Sequence, residues 1–311
     1  MDPIRIDTKE HVDSLLDKYD NFLFDCDGVV WLDETLIPGM LETIKYLQDN
    51  GKGFAFITNN SSKSRNEYIG KFKKLGFEGI TKDMIFPTCY AAATTVKEEL
   101  KIPQGSKIWV LGDHGIEDEL REQGYIPVGG SDKALDTEFH LEHELLKVDP
   151  EVKAVVVGST KHFNYMRIAS TLQYLLHDNK SLPFIGTNID RSYPGGNGLT
   201  LPAGGSVVNF MEYTAHRDFI NVGKPSTLFL DTVLKHMNFN KEKTVMIGDT
   251  LYTDIKFGND GELGGGNGGS ILVLSGGTKP HDLHKLHELD TSMIPSFIIE
   301  SFGDVFKLLN L

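Results

Sequence analysis

The feature that most constrains this chain is an alternation. Short apolar runs rich in β-formers, NFLFD, GFAFIT, KIWVLG, VKAVVVG, LPFIGTN, KTVMIGD and SILVLSG, recur along it with helix-type segments between them. Runs that are apolar throughout, rather than at every second residue, suit parallel strands buried on both faces, and strands separated by helices imply βαβ units. The helical segments carry their own punctuation. PGMLETIKYLQDNG places Pro38 at a start and Gly51 just past an end, and SKSRNEYIGKFKKLG stops in the same way at Gly76. NYMRIASTLQYLLHDN and STLFLDTVLKHMNF have the i, i+3, i+4 apolar spacing of amphipathic helices. The fold class read from this pattern is α/β, with a doubly wound, mostly parallel sheet.

A chain of 311 residues fits two domains better than one. Residues 101–218 have strand and helix signals of their own, so they read as a separate α/β unit inserted into a core made of 1–100 and 219–311. No solenoid repeat or heptad run is present. The net charge of −13 argues against nucleic acid or an anionic membrane as partner, and means that an anionic substrate needs a local cation. No apolar run approaches the roughly 18 residues of a membrane span, and the polar start MDPIRIDTKE is not a secretory signal. With only two cysteines, Cys26 and Cys89, a cytoplasmic location is expected.

Four apolar runs finish in residues that carry chemistry. FLF leads into Asp25, with Asp27 two residues on; FAFIT leads into Thr58, Asn59 and Asn60; INVGKP offers Lys224; TVMIGD ends in Asp249, with Asp254 about one helical turn later. Singly, each has an ordinary explanation as a turn, a helix cap or a solvated loop. Together, in order, at the carboxyl ends of strands where open α/β sheets bind ligands, they bring carboxylates, one ammonium and a hydroxyl to one edge. That mixture suits a metal ion and a phosphate.

The pieces DCDGV, TNNS, GKP and GDTLYTD resemble the four ordered motifs of the haloacid dehalogenase superfamily, in its phosphatase branch. The longer strings FLFDCDGVVW, FITNNSSKSRNEY and GKPSTLFLDTV resemble the group of 4-nitrophenylphosphatases and phosphoglycolate phosphatases. The resemblance implies a Rossmann-like core interrupted between the second and third motifs by a large α/β cap of the C2 type. It makes Asp25 the nucleophile of an aspartyl-phosphate mechanism and Asp27 the general acid and base. Mg²⁺ would be held by Asp25, Asp249 and the backbone carbonyl of Asp27, with Asp254 in its outer or inner shell. The Thr58 hydroxyl, Asn59 amide and Lys224 ammonium would stabilise the transferring phosphoryl, with Asn60 beside them. An extended segment would set Asp27 on the same side as Asp25.

In the cap, GTNIDRSYP corresponds to the family's substrate-selecting loop, so Asn188, Asp190 and Arg191 are candidates to reach the substrate, Arg191 by pairing with a carboxylate. The resemblance further implies 4-nitrophenyl phosphate and 2-phosphoglycolate-like esters as substrates, and a homodimer formed through the cap. Two other readings compete: a receiver-like phosphoacceptor module, and a phosphomutase on the same scaffold. Other motifs are assigned no role. GELGGGNGGS formally matches GxGxxG at Gly264, Gly266 and Gly269 but precedes a strand instead of following one, and reads as a turn. His140 and His143, and His281, His284 and His287, read as solvated helix faces, and Cys26 as a small buried hydrophobe.

Overall fold

The structure, a computed structural model, describes residues 2–194, 199–266 and 268–309. It divides into two compact units: Met1–Thr58, Ile69–Phe86 and Lys224–Leu311 form the first, and Asn59–Tyr68 and Pro87–Gly223 the second.

The first unit is built on a seven-stranded sheet in the order Ile4–Arg5, Phe297–Ile299, Ser270–Val273, Thr244–Gly248, Asn21–Asp25, Gly53–Thr58, Ile85–Pro87. The pairings from Ile4–Arg5 through Gly53–Thr58 are parallel. Its central strands are the continuous apolar runs read from the sequence, and Phe22, Leu23, Phe24, Phe56 and Ile247 are wholly buried. Aromatic rings knit the layers: Phe24 lies 5.9 Å from Phe56 and 5.2 Å, edge-on, from Phe302. The two-residue strand Ile4–Arg5 has no periodicity of its own and is placed by its partner Phe297–Ile299.

The second unit has a five-stranded parallel sheet in the order Ile220–Asn221, Phe184–Gly186, Val152–Val157, Lys107–Leu111, Ile126–Gly129. Its core includes Val155, Val157, Met166 and Leu175, and Trp109 stacks on Tyr174 at 4.4 Å while its indole donates to Thr171 Oγ1 at 2.9 Å. The sequence reading changed units at residues 100 and 218, whereas the compact units change at 86/87 and 223/224 and the second also takes the segment Asn59–Tyr68. The bonds of that segment explain its place there. Arg65 donates through its backbone N to Glu119 Oε1 at 2.7 Å and through Nε to Glu119 Oε2 at 2.9 Å, and its guanidinium lies 3.6 Å from the Tyr90 ring centre.

Two local expectations are corrected, the helical end HDN and the helix face of His140 and His143. In the helix Tyr165–Lys180, His177 is extended and Asp178 and Asn179 are left-handed, so the regular turns stop before the HDN end of the apolar pattern. His140 lies in a turn and His143 caps a short 3₁₀ turn by accepting from Leu145 N at 3.1 Å, so neither is on a helix face. His281, His284 and His287 lie on a 3₁₀ run, Pro280–Glu288, where residues three apart eclipse. In the glycine-rich segment, Gly264, Gly265, Gly266 and Gly268 all have positive φ, as turns require, while Asn267 lies outside the described residues.

Candidate active site

Strand register brings the first unit's candidates to one edge. Phe24 pairs with both Phe56 and Ile247, and Asp25 with Ile57, so Asp25, Thr58 and Asp249 all stand at the carboxyl ends of neighbouring parallel strands. Asp25, Thr58, Lys224, Asp249 and Asp254 are all buried. Lys224, only 2% exposed, forms ion pairs with Asp25 Oδ1 and, at 2.7 Å, with Asp254 Oδ1. Asp254 Oδ2 accepts from the backbone N–H groups of Asp249 at 3.1 Å and Thr250 at 3.0 Å. Asp249 accepts from Thr250 Oγ1 at 3.0 Å and from Gly277 N at 2.5 Å.

The carboxylates of Asp25, Asp249 and Asp254 offer oxygens that all lie within 4.8 Å of one another. Burial pushes the Asp25 carboxyl well above its usual range, against the pull of Lys224, and burial with the Asp254 charge pushes Asp249 up to about 7. Burial works to lower Lys224, but the charges of Asp25 and Asp254 outweigh it and hold the ammonium protonated. One buried cation cannot balance three buried carboxylates if all of them ionise, which is why Asp25 and Asp249 hold their protons more tightly than usual. Hard oxygen donors at that spacing fit a divalent cation.

The glycine of Asp-x-Asp-Gly has a steric reason. Gly28 has φ +89°, and a Cβ there would collide with the Asp249 carboxylate and the Gly276 backbone. Ser275 Oγ donates to the Gly28 carbonyl at 2.7 Å, which ties the loop after the Ser270–Val273 strand to the first motif. This Ser275–Gly277 loop was not singled out in the sequence, because its part in the site is a serine hydroxyl on a backbone carbonyl, a backbone N–H and two glycines without side chains.

Asp27 differs from expectation. Strand pairing ends at Asp25 and the chain bends at Cys26, so the alternation of an extended segment does not carry to Asp27. Its carboxylate is exposed and accepts from Trp31 Nε1 at 2.8 Å. Cys26 is fully buried, and burial, reinforced by Asp25 and Asp27, pushes its thiol well above the usual range, as a small hydrophobe in an acidic setting requires.

The second unit holds the remaining candidates, and two of them are already engaged. The Asn60 carboxamide oxygen accepts from Ser62 N at 2.8 Å and Ser62 Oγ at 2.7 Å, closing a local turn. Asn188 is buried, and its Nδ2 donates at 2.7 Å to the Asn59 carbonyl, which also accepts from Thr88 Oγ1 at 2.9 Å. Asn188 thus holds the Asn59 backbone instead of extending toward a substrate. Asp190 is half-buried and Arg191 exposed, while the Pro194 side chain at the end of this loop lies outside the described residues. A second acidic group, Glu67, His114 and Asp118, is largely spent on structure: Glu67 accepts from Ser64 N at 2.8 Å and lies 3.0 Å from His114 Nε2.

Residues 22–126 match the family described as haloacid dehalogenase-like hydrolase, and residues 221–305 a related family described as HAD-hydrolase-like. A 4-nitrophenylphosphatase of Schizosaccharomyces pombe is 36% identical over 96% of this chain and 97% of its own. The chain belongs to the haloacid dehalogenase-like hydrolases. Within that family it is also 35% identical to a glycerol-3-phosphate phosphatase of Mus musculus, over 96% and 94% of the two chains, and 36% identical to phosphoglycolate phosphatase 2 of Arabidopsis thaliana, over 95% of each. Among solved structures, a 4-nitrophenylphosphatase of Thermotoga maritima superposes with a TM-score of 0.75 at 28% identity, covering 95% of this chain and 99% of that one. The haloacid dehalogenase-like relatives named here are all phosphatases, and the α/β fold read from the alternating runs is the one they share.

Proposed function

We propose that this protein is a Mg²⁺-dependent phosphatase of small phosphomonoesters. The observation that carries the reading is the buried Lys224, paired with Asp25 and Asp254 at the strand ends with Asp249 within reach. Asp25, Asp249 and Asp254 would hold the ion, together with the Asp27 carbonyl. When bound, Mg²⁺ supplies the positive charge that lets a carboxylate approach a phosphate dianion.

The chain's own residues do the rest. Lys224 keeps one Asp25 oxygen engaged, and Asp25 attacks phosphorus as the ester bond to the leaving alcohol breaks. Asp27 gives the departing oxygen its proton, then takes one from the water that hydrolyses the aspartyl-phosphate, which returns Asp25 and releases phosphate. The Thr58 hydroxyl, the Asn59 amide that follows it in the chain, and Lys224 take up the charge that spreads over the phosphoryl oxygens.

The relatives named for 4-nitrophenyl phosphate, glycerol 3-phosphate and phosphoglycolate direct the test. We measure kcat/KM for all three esters with Mg²⁺, with Asp25→Asn as the blank. Turnover of at least one that vanishes in the blank supports the reading. A stable phosphoprotein without turnover would favour a receiver-like module, and a phosphorylated product in place of free phosphate a phosphomutase. A preference for 2-phosphoglycolate that Arg191→Ala abolishes supports Arg191 as the carboxylate reader, and Asp190 is tested in the same way.

We also propose a cytoplasmic homodimer formed through the second unit. That unit exposes Leu141, Tyr165 and Phe210 around a groove of about 570 Å³. Among the described residues no helix is long and apolar enough to cross a membrane. Sedimentation of the wild type against Leu141→Arg tests the dimer, and a monomeric wild type would end it.

A further inference from the structure

Trp31 is one of the largest wholly buried side chains in the first unit, and its one polar atom points at Asp27. Its indole Nε1 donates to Asp27 Oδ1 at 2.8 Å, and the backbones of the two residues form an isolated bridge. The ring has little freedom to turn away. Phe72 meets it edge-on at 5.1 Å, Lys71 Nζ lies 4.2 Å from its ring centre, and Lys71 is itself held by the Asp33 carbonyl at 2.7 Å. The Trp31 carbonyl accepts from Gly28 N at 2.7 Å, and its N–H reaches the Cys26 carbonyl at 3.2 Å, so the indole is anchored to the same turn that carries Asp27.

We infer that Trp31 is a positioning residue for proton transfer by Asp27, an inference that rests on the phosphatase reading above. The side chain of Asp27 is exposed, and an exposed carboxylate otherwise samples several rotamers. An indole N–H is a donor only, so its bond requires an acceptor lone pair on Oδ1. With Oδ1 engaged by the indole, Oδ2 is the oxygen left to face the leaving alcohol and to deliver the proton as the phosphorus–oxygen bond breaks. After transfer, Oδ2 is the base that takes a proton from the hydrolytic water. The buried ring fixes both the rotamer and the choice of oxygen, and a proton misplaced by an ångström is costly.

The test uses the full-length protein with Mg²⁺ and esters that differ in how far the leaving group needs a proton: 4-nitrophenyl phosphate, phenyl phosphate and 2-phosphoglycolate. Trp31→Phe keeps an aromatic ring against Phe72 and removes the N–H. We expect kcat to fall at least tenfold more for phenyl phosphate and 2-phosphoglycolate than for 4-nitrophenyl phosphate, with KM moving less than threefold. In an Asp27→Asn background the same substitution is expected to add less than a twofold further loss. Equal losses on all esters would assign Trp31 to packing alone and overturn the inference, as would full retention of the leaving-group profile. If Trp31→Phe does not fold, benzothienylalanine at position 31, which replaces the N–H by sulfur within the same ring shape, gives the same readout. A wild type without activity on any ester would instead overturn the phosphatase reading.

Discussion

At Lys224 one ammonium faces two buried carboxylates in a cluster that contains a third, and its removal shows what that arrangement costs. Lys224→Met leaves Asp25 and Asp254 buried without their shared cation, and breaking a buried pair from one side costs about 3–5 kcal/mol. Urea unfolding in the absence of divalent ions should show a loss of that order. Asp249 sets a pH dependence. Its folded carboxyl titrates at about 7 against an ordinary 3.8, so the folded state keeps a proton that the unfolded chain gives up. The bare protein is therefore expected to lose stability as pH rises from about 4 to 7, and no further from this group above that window. A divalent cation binds the ionised form, so the rise in Tm on adding Mg²⁺ should be larger at pH 8 than at pH 5. Asp249→Asn should flatten both trends in a thermal-shift series. Asn188 shows what residue type alone does not reveal. A carboxamide in a loop next to Asp and Arg looks like a substrate contact, and only the tertiary fold shows that its N–H group is spent on a carbonyl 129 positions away.

Among the elements, Arg65, which opens the Arg65–Lys74 helix and belongs to the second unit, is locked to the His114–Glu122 helix of the same unit. Arg65 makes two bonds to Glu119 and one to Glu122 at 3.1 Å, and stacks on Tyr90. Glu119→Ala should cost up to about 3–5 kcal/mol in denaturant unfolding, since it leaves a buried guanidinium with only its single bond to Glu122. Arg65→Lys is expected to recover only a minor part of the pair, because an ammonium has neither the fork nor the stacking face. The long strands were legible because burial on both faces demands uninterrupted apolar residues, and Asn21–Asp25, Gly53–Thr58 and Val152–Val157 satisfy that demand locally. Ile4–Arg5 and Ile220–Asn221 were not, since two residues carry no period and their pairing is decided by distant neighbours. Asp25, Thr58 and Asp249 were legible for a similar reason, as each ends or directly follows such a run. The contributions of Trp31, Gly276 and Gly277 were hidden, because an indole within an apolar string and a pair of glycines advertise packing and turns instead of hydrogen bonds.

For the whole molecule, both cysteines are free and fully buried, Cys26 in the first unit and Cys89 in the second. Burial raises both thiols well above their usual range. A disulfide-exchange reagent such as 5,5′-dithiobis(2-nitrobenzoate) should label neither in the native state and both in urea, and reductant should leave Tm unchanged. The chain passes between the units at 58/59, 68/69, 86/87 and 223/224. The first and last of these passages fall inside the TNNS and GKP motifs, so no neutral spacer separates the inserted unit from residues assigned to chemistry. A gene fusion that trades the second unit for another would need junctions at all four passages, because Ile69–Phe86, which lies between its two segments, belongs to the first unit. A donor that shares the TNNS and GKP sequences would leave the residues on both sides of the outer two junctions unchanged.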